Sequence, residues 1–257
     1  MFQIDNLVFS GGALKGIVYA GCMEALEEFD ILSTIKRISG TSVGAMFAYG
    51  ILLGYTANQI QEIVKKVELH FLRDIHIENI IQFPETFGID TGNKIEHALQ
   101  VITKKQGFSA DITFEQFYRI TGIEFIIVAS CISKEEKVTF SYKEWPDFSV
   151  IKAVRISCGL PFLYNTVTID GEDYADGCLF ENSPISYFTN SQEELDKTMG
   201  FIISSKFKKY EHKFNNYAIN TYNCIANTIS RLQLQNYHEY FVKLTDIELN
   251  SATDITE

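Results

Sequence analysis

Apolar residues recur along this chain at two spacings, and the alternation between them predicts strands followed by helices. Leu7 to Phe9 is a short apolar run of strand length, and Ile17 to Phe29 follows with Ile17, Ala20, Gly21, Met23 and Leu26 on one helical face. The pair repeats at once, with Ile35 to Ser39 reading as a second buried strand and Val43 to Leu53 as a second helix. Thr56 and Gln59 have the spacing of a capping box, and Ile60, Ile63, Val64, Val67 and Phe71 continue as one apolar stripe. The order then loosens. Between Asp74 and Thr91 the residues Ile75, Ile77, Ile80, Ile81, Phe83 and Phe87 hold no clean period, and Pro84 and Gly88 interrupt them. Two readings stay open for this segment: an apolar flap over a site, or an irregular stretch packed on the core.

Periodicity returns after Gly92 in a helix through Ile95, Ala98, Leu99 and Ile102, and Thr113 to Gln116 offers another capping box before Phe117. Glu124 to Cys131 is a continuous apolar run that suits the middle of a parallel sheet, with Val138 to Tyr142 as its neighbour. Val150 to Ser157 reads as a short helix stopped by Gly159 and Pro161. Thr166 to Ala175 reads as a hairpin turning at Asp170-Gly171, which delivers Asp176 at a strand end. Met199 to Ser204 predicts a further strand, and Lys206 to Lys213 a charged, exposed connection. Tyr222, Ile225, Ile229, Leu232 and Tyr240 predict a helix covering the sheet, and Phe241 to Thr253 a last strand and turn. The whole suits one large α/β domain.

Two glycine-rich turns interrupt this pattern where strands run into helices. In Gly40-Thr41-Ser42-Val43-Gly44, a serine between two glycines has the form of a nucleophile elbow, with Gly40 and Gly44 leaving room for the turn and Ser42 as candidate nucleophile. The helix that follows aims its N-terminal N–H groups at any oxyanion formed there. Ser10-Gly11-Gly12-Ala13-Leu14-Lys15-Gly16 exposes successive N–H groups at the start of the first helix, a cradle for anions. Its glycine order matches neither the dinucleotide nor the phosphate-loop pattern, so the two turns read as two lips of one site. Asp176 is the candidate base, a carboxylate able to take the Ser42 proton if partial burial raises its basicity. The competing reading is that Asp176 only caps the turn before Gly177. A rival triad keeps Ser42 and borrows His212 or His238 with Asp173 or Asp176; His70, His76 and His97 precede the aspartates and fit that order poorly.

Charge and cysteine content narrow the partners. A formal net charge of −11 argues against nucleic acid and against attraction to anionic lipid, so any membrane contact rests on apolar or aromatic loops. The five cysteines show no Cys-x-x-Cys spacing, which argues against a disulfide framework or a zinc site. The first residues lack a secretion-signal form, and the run Ile123 to Ile132 is too short to span a bilayer, so a cytoplasmic protein is expected, peripheral to membranes if it meets them.

The chain resembles the patatin-like phospholipases. The resemblance runs from Gly11 to Gly16 and Gly40 to Gly44, through Thr113 to Ser130 and Ala153-Val154-Arg155-Ile156-Ser157 with Pro161 and Phe162, to Tyr174-Ala175-Asp176-Gly177 and Asn182-Ser183-Pro184. It implies a three-layer α/β/α sandwich with a mainly parallel sheet, and a single domain over residues 1–257 whose core ends near 205, with a covering helix and last strand beyond 215. It further implies a lipid acyl hydrolase of phospholipase A or lysophospholipase type. Ser42 and Asp176 would form a catalytic dyad, and the N–H groups around Gly11, Gly12 and Ala13, with Lys15 and Gly16, an oxyanion hole. Neither a metal nor a cofactor is implied, and the partners are acyl-ester lipids at a membrane or micelle surface. Lys15 stands where the family usually has Arg, Ala13 where it has Gly, and Cys178 where it has a second Gly. A positive φ at Ala13 or Cys178 would cost about 1 to 2 kcal/mol. An acyltransferase with the same nucleophile, and a relative that binds lipid or protein without turnover, are the alternatives.

Overall fold

The computed structural model describes residues 3–66, 73–203 and 214–244. Its first repeat is β1 (Asn6–Phe9) with α1 (Tyr19–Glu28), and its second is β2 (Arg37–Thr41) with α2 (Val43–Leu52). After α3 (Ala57–Lys66) come two short helices, α4 (Ile77–Ile81) and α5 (Phe83–Thr86), then α6 (Asn93–Lys105) and α7 (Phe114–Thr121). The remainder is β3 (Glu124–Cys131), β4 (Glu136–Phe140), α8 (Val150–Ser157), β5 (Val167–Ile169), β6 (Glu172–Asp176), α9 (Gln192–Asp196), β7 (Thr198–Ile203), α10 (Phe214–Gln233) and β8 (Phe241–Leu244). The helix expected from Ile17 starts as a 3-10 turn, Ala13–Val18, before α1. The Thr113 capping box forms with both of its hydrogen bonds. Val67, Phe71, the 206–213 connection and the far part of the last strand lie outside the described residues.

Among the described residues eight strands make one sheet, in the order β5-β6-β3-β2-β1-β7-β8 with β4 also on β3. The β1, β2, β3, β7 and β8 pairings are parallel, and β4, β5 and β6 pair antiparallel. Successive side chains of a strand face opposite sides. Leu7, Phe9, Ile38, Phe125 and Ile127 therefore enter the core beneath α1, α2, α6 and α8. Val8 and Ile126 point the other way and meet Ile185, Phe188, Leu195 and Leu234. That is the three-layer α/β/α sandwich, thick on one face and thin on the other. The C-terminal helix departs from expectation. Instead of lying on the sheet along its length, α10 covers the loop after β6, where Gln233 Nε2 donates to the Phe180 carbonyl at 2.8 Å and Asn182 Nδ2 to Ser230 Oγ at 2.9 Å.

The register along β3 fixes where the candidate residues meet. Residues 127 and 128 pair with both β2 and β4, so those strands lie on opposite edges of β3. Residues 129–131 pair with both β4 and β6, so β6 shares the β2 edge. Thr41 is opposite Val128 and Asp176 is opposite Ala129. The end of β2 and the end of β6 thus abut, head to head, on one strand. Ile127, fully buried at the middle of β3, anchors that strand in the thick layer. Ile127→Ala is expected to cost about 3 kcal/mol, read as a lower urea midpoint with an unchanged slope.

Candidate active site

Ser42 leaves β2 with φ 56° and ψ −128°, a left-handed backbone on a residue that has a Cβ. Such a conformation is strained by about 1 to 3 kcal/mol and persists only where its surroundings fix it. The fixing group is Ser157, the last residue of α8. Its Oγ accepts the Ser42 N–H at 2.8 Å and donates to the Val128 carbonyl at 2.6 Å, hanging the turn from β3. Thr41 Oγ1 donates to the Glu181 carbonyl at 2.8 Å, which ties the residue before the turn to the loop beyond β6. Close approach explains the flanking glycines. A Cβ on Gly44 would enter the carbonyls of Phe9 and Ser10, and one on Gly40 would strike the backbone of Ala45. Ser42 therefore sits in a tight strand-to-helix turn whose two flanking glycines are required by close approach.

Asp176 ends β6 with no exposure to solvent. Its main chain is fixed on both sides, the N–H donating to the Gly159 carbonyl at 2.9 Å and the carbonyl accepting from Ser130 Oγ at 2.7 Å. Oδ1 accepts the Cys178 N–H at 3.0 Å, so the turn-capping role is real. It uses only half the carboxylate. Oδ2 is buried without a hydrogen-bond partner among the described residues. Burial pushes the Asp176 pKa up to about 6, against the lowering effect of Cys178 and of the nearby Ser42 hydroxyl. That hydroxyl interacts with the carboxyl without the geometry of a full hydrogen bond, a looseness common before substrate arrives. The turn-capping reading of Asp176 is thus met by one carboxylate oxygen, with the other left over.

The first glycine-rich turn lies against the elbow. A Cβ on Gly11 would run into Asn182 Oδ1 and approach the Ser42 Cβ to 3.3 Å, and Gly16 packs on Val43. The Gly11 N–H, however, donates to the Asn182 carbonyl at 2.9 Å, which removes it as an oxyanion donor and corrects that expectation. The Gly12 N–H has no acceptor among the described residues. Lys15 is half-buried, and its burial lowers the pKa of its ammonium group. Ala13 and Cys178 both sit in right-handed 3-10 turns, so neither carries the positive-φ strain that replacing a glycine would bring.

The histidine alternative gains no support among the described residues. His76, His97 and His238 are exposed, and none bonds to Asp173 or Asp176. His70 and His212 lie outside the described residues. Also among the described residues, no group of three or more His, Cys, Asp or Glu is arranged to hold a metal ion, and no helix is long and apolar enough to cross a membrane. The sequence reading placed Ser157 and Asn182 in stretches that carry the resemblance but gave them no role, and did not single out Ser230. Ser157, Asn182 and Ser230 all act through other residues, and a lone serine or asparagine leaves no spacing signal for such a part.

Three comparisons bear on this geometry. The family model for patatin-like phospholipase matches residues 7–189. The chain is 28% identical over 256 residues to uncharacterized protein R571 of Acanthamoeba polyphaga mimivirus, covering 99% of this chain and 79% of that protein. It is 23% identical over 222 residues to probable lipid hydrolase 463L of Invertebrate iridescent virus 6, covering 82% and 75%. The crystal structure of VipD from Legionella pneumophila superposes with a TM-score of 0.62 at 15% identity, covering 98% of this chain. This chain spans 64% of that one, and the likeness concerns the fold.

The burial of Asp176 makes stability depend on pH. Below pH of about 3 the carboxyl is neutral in both folded and unfolded chains, and ionisation costs the fold nothing. As pH climbs to about 6 the unfolded chain ionises first, so stability falls, by about 3 kcal/mol once both forms are charged. Asp176→Asn removes that loss. The variant is expected to be more stable than wild type by up to about 3 kcal/mol at pH 7.5 and no different near pH 3, measured by urea unfolding at each pH.

Proposed function

The chain belongs to the patatin-like phospholipase family, and from that premise we propose that it hydrolyses the acyl esters of lipids with Ser42 as nucleophile and Asp176 as base. Membership of the family supports lipid ester hydrolysis in general; the dyad is the finer claim. One observation carries it: a carboxylate oxygen, buried and without a partner, beside a serine held in a strained turn. A carboxyl whose pKa is about 6 is ionised at neutral pH, yet is a far better proton acceptor than an exposed aspartate.

In this reading Asp176 Oδ2 takes the Ser42 proton as Oγ attacks the ester carbonyl. The developing oxyanion is met by the N–H groups of Gly12 and Ala13 at the start of the 3-10 turn, with the N-terminus of α2 behind them. The alcohol leaves with the proton from Asp176, giving an acyl-serine. Water, deprotonated by the same carboxylate, then attacks the acyl carbon and releases the fatty acid, returning the proton to Ser42. Ser157 is a positioning residue, because without its hydroxyl the Ser42 N–H loses its acceptor and the strained turn relaxes. The reading takes residues 1–257 as one catalytic domain, with α10 bracing the loop after β6.

A fluorophosphonate probe should label wild type and fail on both Ser42→Ala and Asp176→Asn. Hydrolysis of a soluble short-chain ester should rise about tenfold per pH unit up to pH of about 6 and level off above it. Equal labelling of Ser42→Ala, or full turnover by Asp176→Asn, would overturn the dyad.

A further inference from the structure

Thirteen large apolar side chains stand exposed among the described residues, and six of them are Ile75, Ile77, Ile80, Ile81, Phe87 and Phe162. The other seven are scattered through the rest of the chain. The six belong to one assembly. Ile89 and Asp90 donate their N–H groups to the Leu163 carbonyl at 3.1 and 2.9 Å, Asn165 N–H to the Asp90 carbonyl at 2.7 Å, and Thr166 N–H to the Thr86 carbonyl at 3.1 Å. The strand-like contact of 86–90 with 163–166 thus joins α4 and α5 to the loop that carries Phe162. Arg155, itself buried, clamps the seam from below, with Nη2 donating to the carbonyls of Thr91 and Asn165 at 2.9 and 3.3 Å.

Two features separate this surface from ordinary exposed residues. Ile77 and Ile81 are 72% and 74% exposed, and they lie one helical turn apart on α4 rather than turning inward. Phe87 and Phe162 both have φ near +60°, at 56° and 67°, with side chains 50% and 66% exposed. Phe87 takes that backbone as the left-handed C-cap of α5, with its N–H on the Phe83 carbonyl at 2.8 Å, and a bulky residue is rare at such a position. The surface also adjoins the candidate site. Phe162 is three residues from Gly159, whose carbonyl accepts the Asp176 N–H.

We propose that this surface, built on α4, α5 and the Phe162 loop, seats the protein on a lipid surface that carries no net negative charge. The identity of the occupant rests on the hydrolase reading, since a chain that cleaves acyl lipids must meet them in aggregates. Charge selects among lipid surfaces. From Asp74 to Thr91 there is no Lys or Arg, while Glu78 and Glu85 are exposed, and the whole chain carries −11. An anionic bilayer would repel this face, whereas phosphatidylcholine or a neutral-lipid surface would accept its isoleucines and phenylalanines. Seated so, the protein meets the lipid with the Phe162 loop, which is tied to Asp176 through the Gly159 carbonyl.

The test separates seating from catalysis by using Ser42→Ala protein throughout. Flotation with phosphatidylcholine vesicles is compared for this parent, for the same chain with Ile77→Ser, Ile81→Ser and Phe162→Ser, and for a control with Val101→Ser and Ile120→Ser, two exposed positions elsewhere. Equal urea midpoints establish that all three fold. The triple variant should lose about tenfold in vesicle affinity, the control should keep it, and phosphatidylserine should weaken binding by the parent. The proposal is overturned if the parent does not float, if triple variant and control lose binding alike, or if phosphatidylserine strengthens it. Self-association of the parent that only the triple variant abolishes would overturn it too, assigning the face to a second copy. Because no arm depends on turnover, failure of the dyad and failure of the seat give different results.

Discussion

A carboxyl group removed from water is the constraint around which this structure is arranged. Leaving Asp176 ionised inside the fold costs about 3 kcal/mol at neutral pH, a sizeable part of the stability of an ordinary domain. The surroundings relieve only part of that cost. Cys178 satisfies one oxygen, and the other is left to Ser42, whose own backbone is strained. Two unfavourable features side by side, each supported by dedicated hydrogen bonds, lower stability and persist only because the surrounding fold fixes them. The large aromatic core, with Phe9 packed against Tyr19, Phe47 and Phe201, gives the sheet the margin to tolerate them.

The segment beyond the family match is not a passive cover. Ser230 of α10 lies past residue 189, yet its hydroxyl accepts from Asn182, whose carbonyl in turn holds the Gly11 N–H. A chain of three residues therefore runs from the C-terminal helix to the glycine-rich turn beside Ser42. The same Asn182 explains why Gly11 is needed and why its amide is unavailable. The glycine serves close packing, while the next residue is left with the free donor.

Much of this was legible in the sequence because it depends on local rules. Strand and helix periods placed the repeating units, the Gly-x-Ser-x-Gly spacing marked the elbow, and the Asp-Gly turn put Asp176 at a strand end. What was not legible depends on residues far apart in the chain. The alternation that splits Val8 and Ile126 from their neighbours shows its meaning only when both faces are seen covered. Ser157 reads as the end of a helix until its hydroxyl is found between Ser42 and Val128. The apolar stretch from Ile75 to Phe87 had no period because its side chains answer to no single buried face. Val138 to Tyr142 was placed slightly late, since the turn after Cys131 is tight and β4 begins at Glu136.

β3 gives Ser42 and Asp176 the same origin of coordinates. Val128 supports the serine turn through Ser157, and the adjacent Ala129 sets the position of Asp176 by register. A displacement of β3 is therefore shared by both residues. The relative placement of Ser42 and Asp176 is in this way set by neighbouring residues of one buried strand, and the outer strands of the sheet have no part in it.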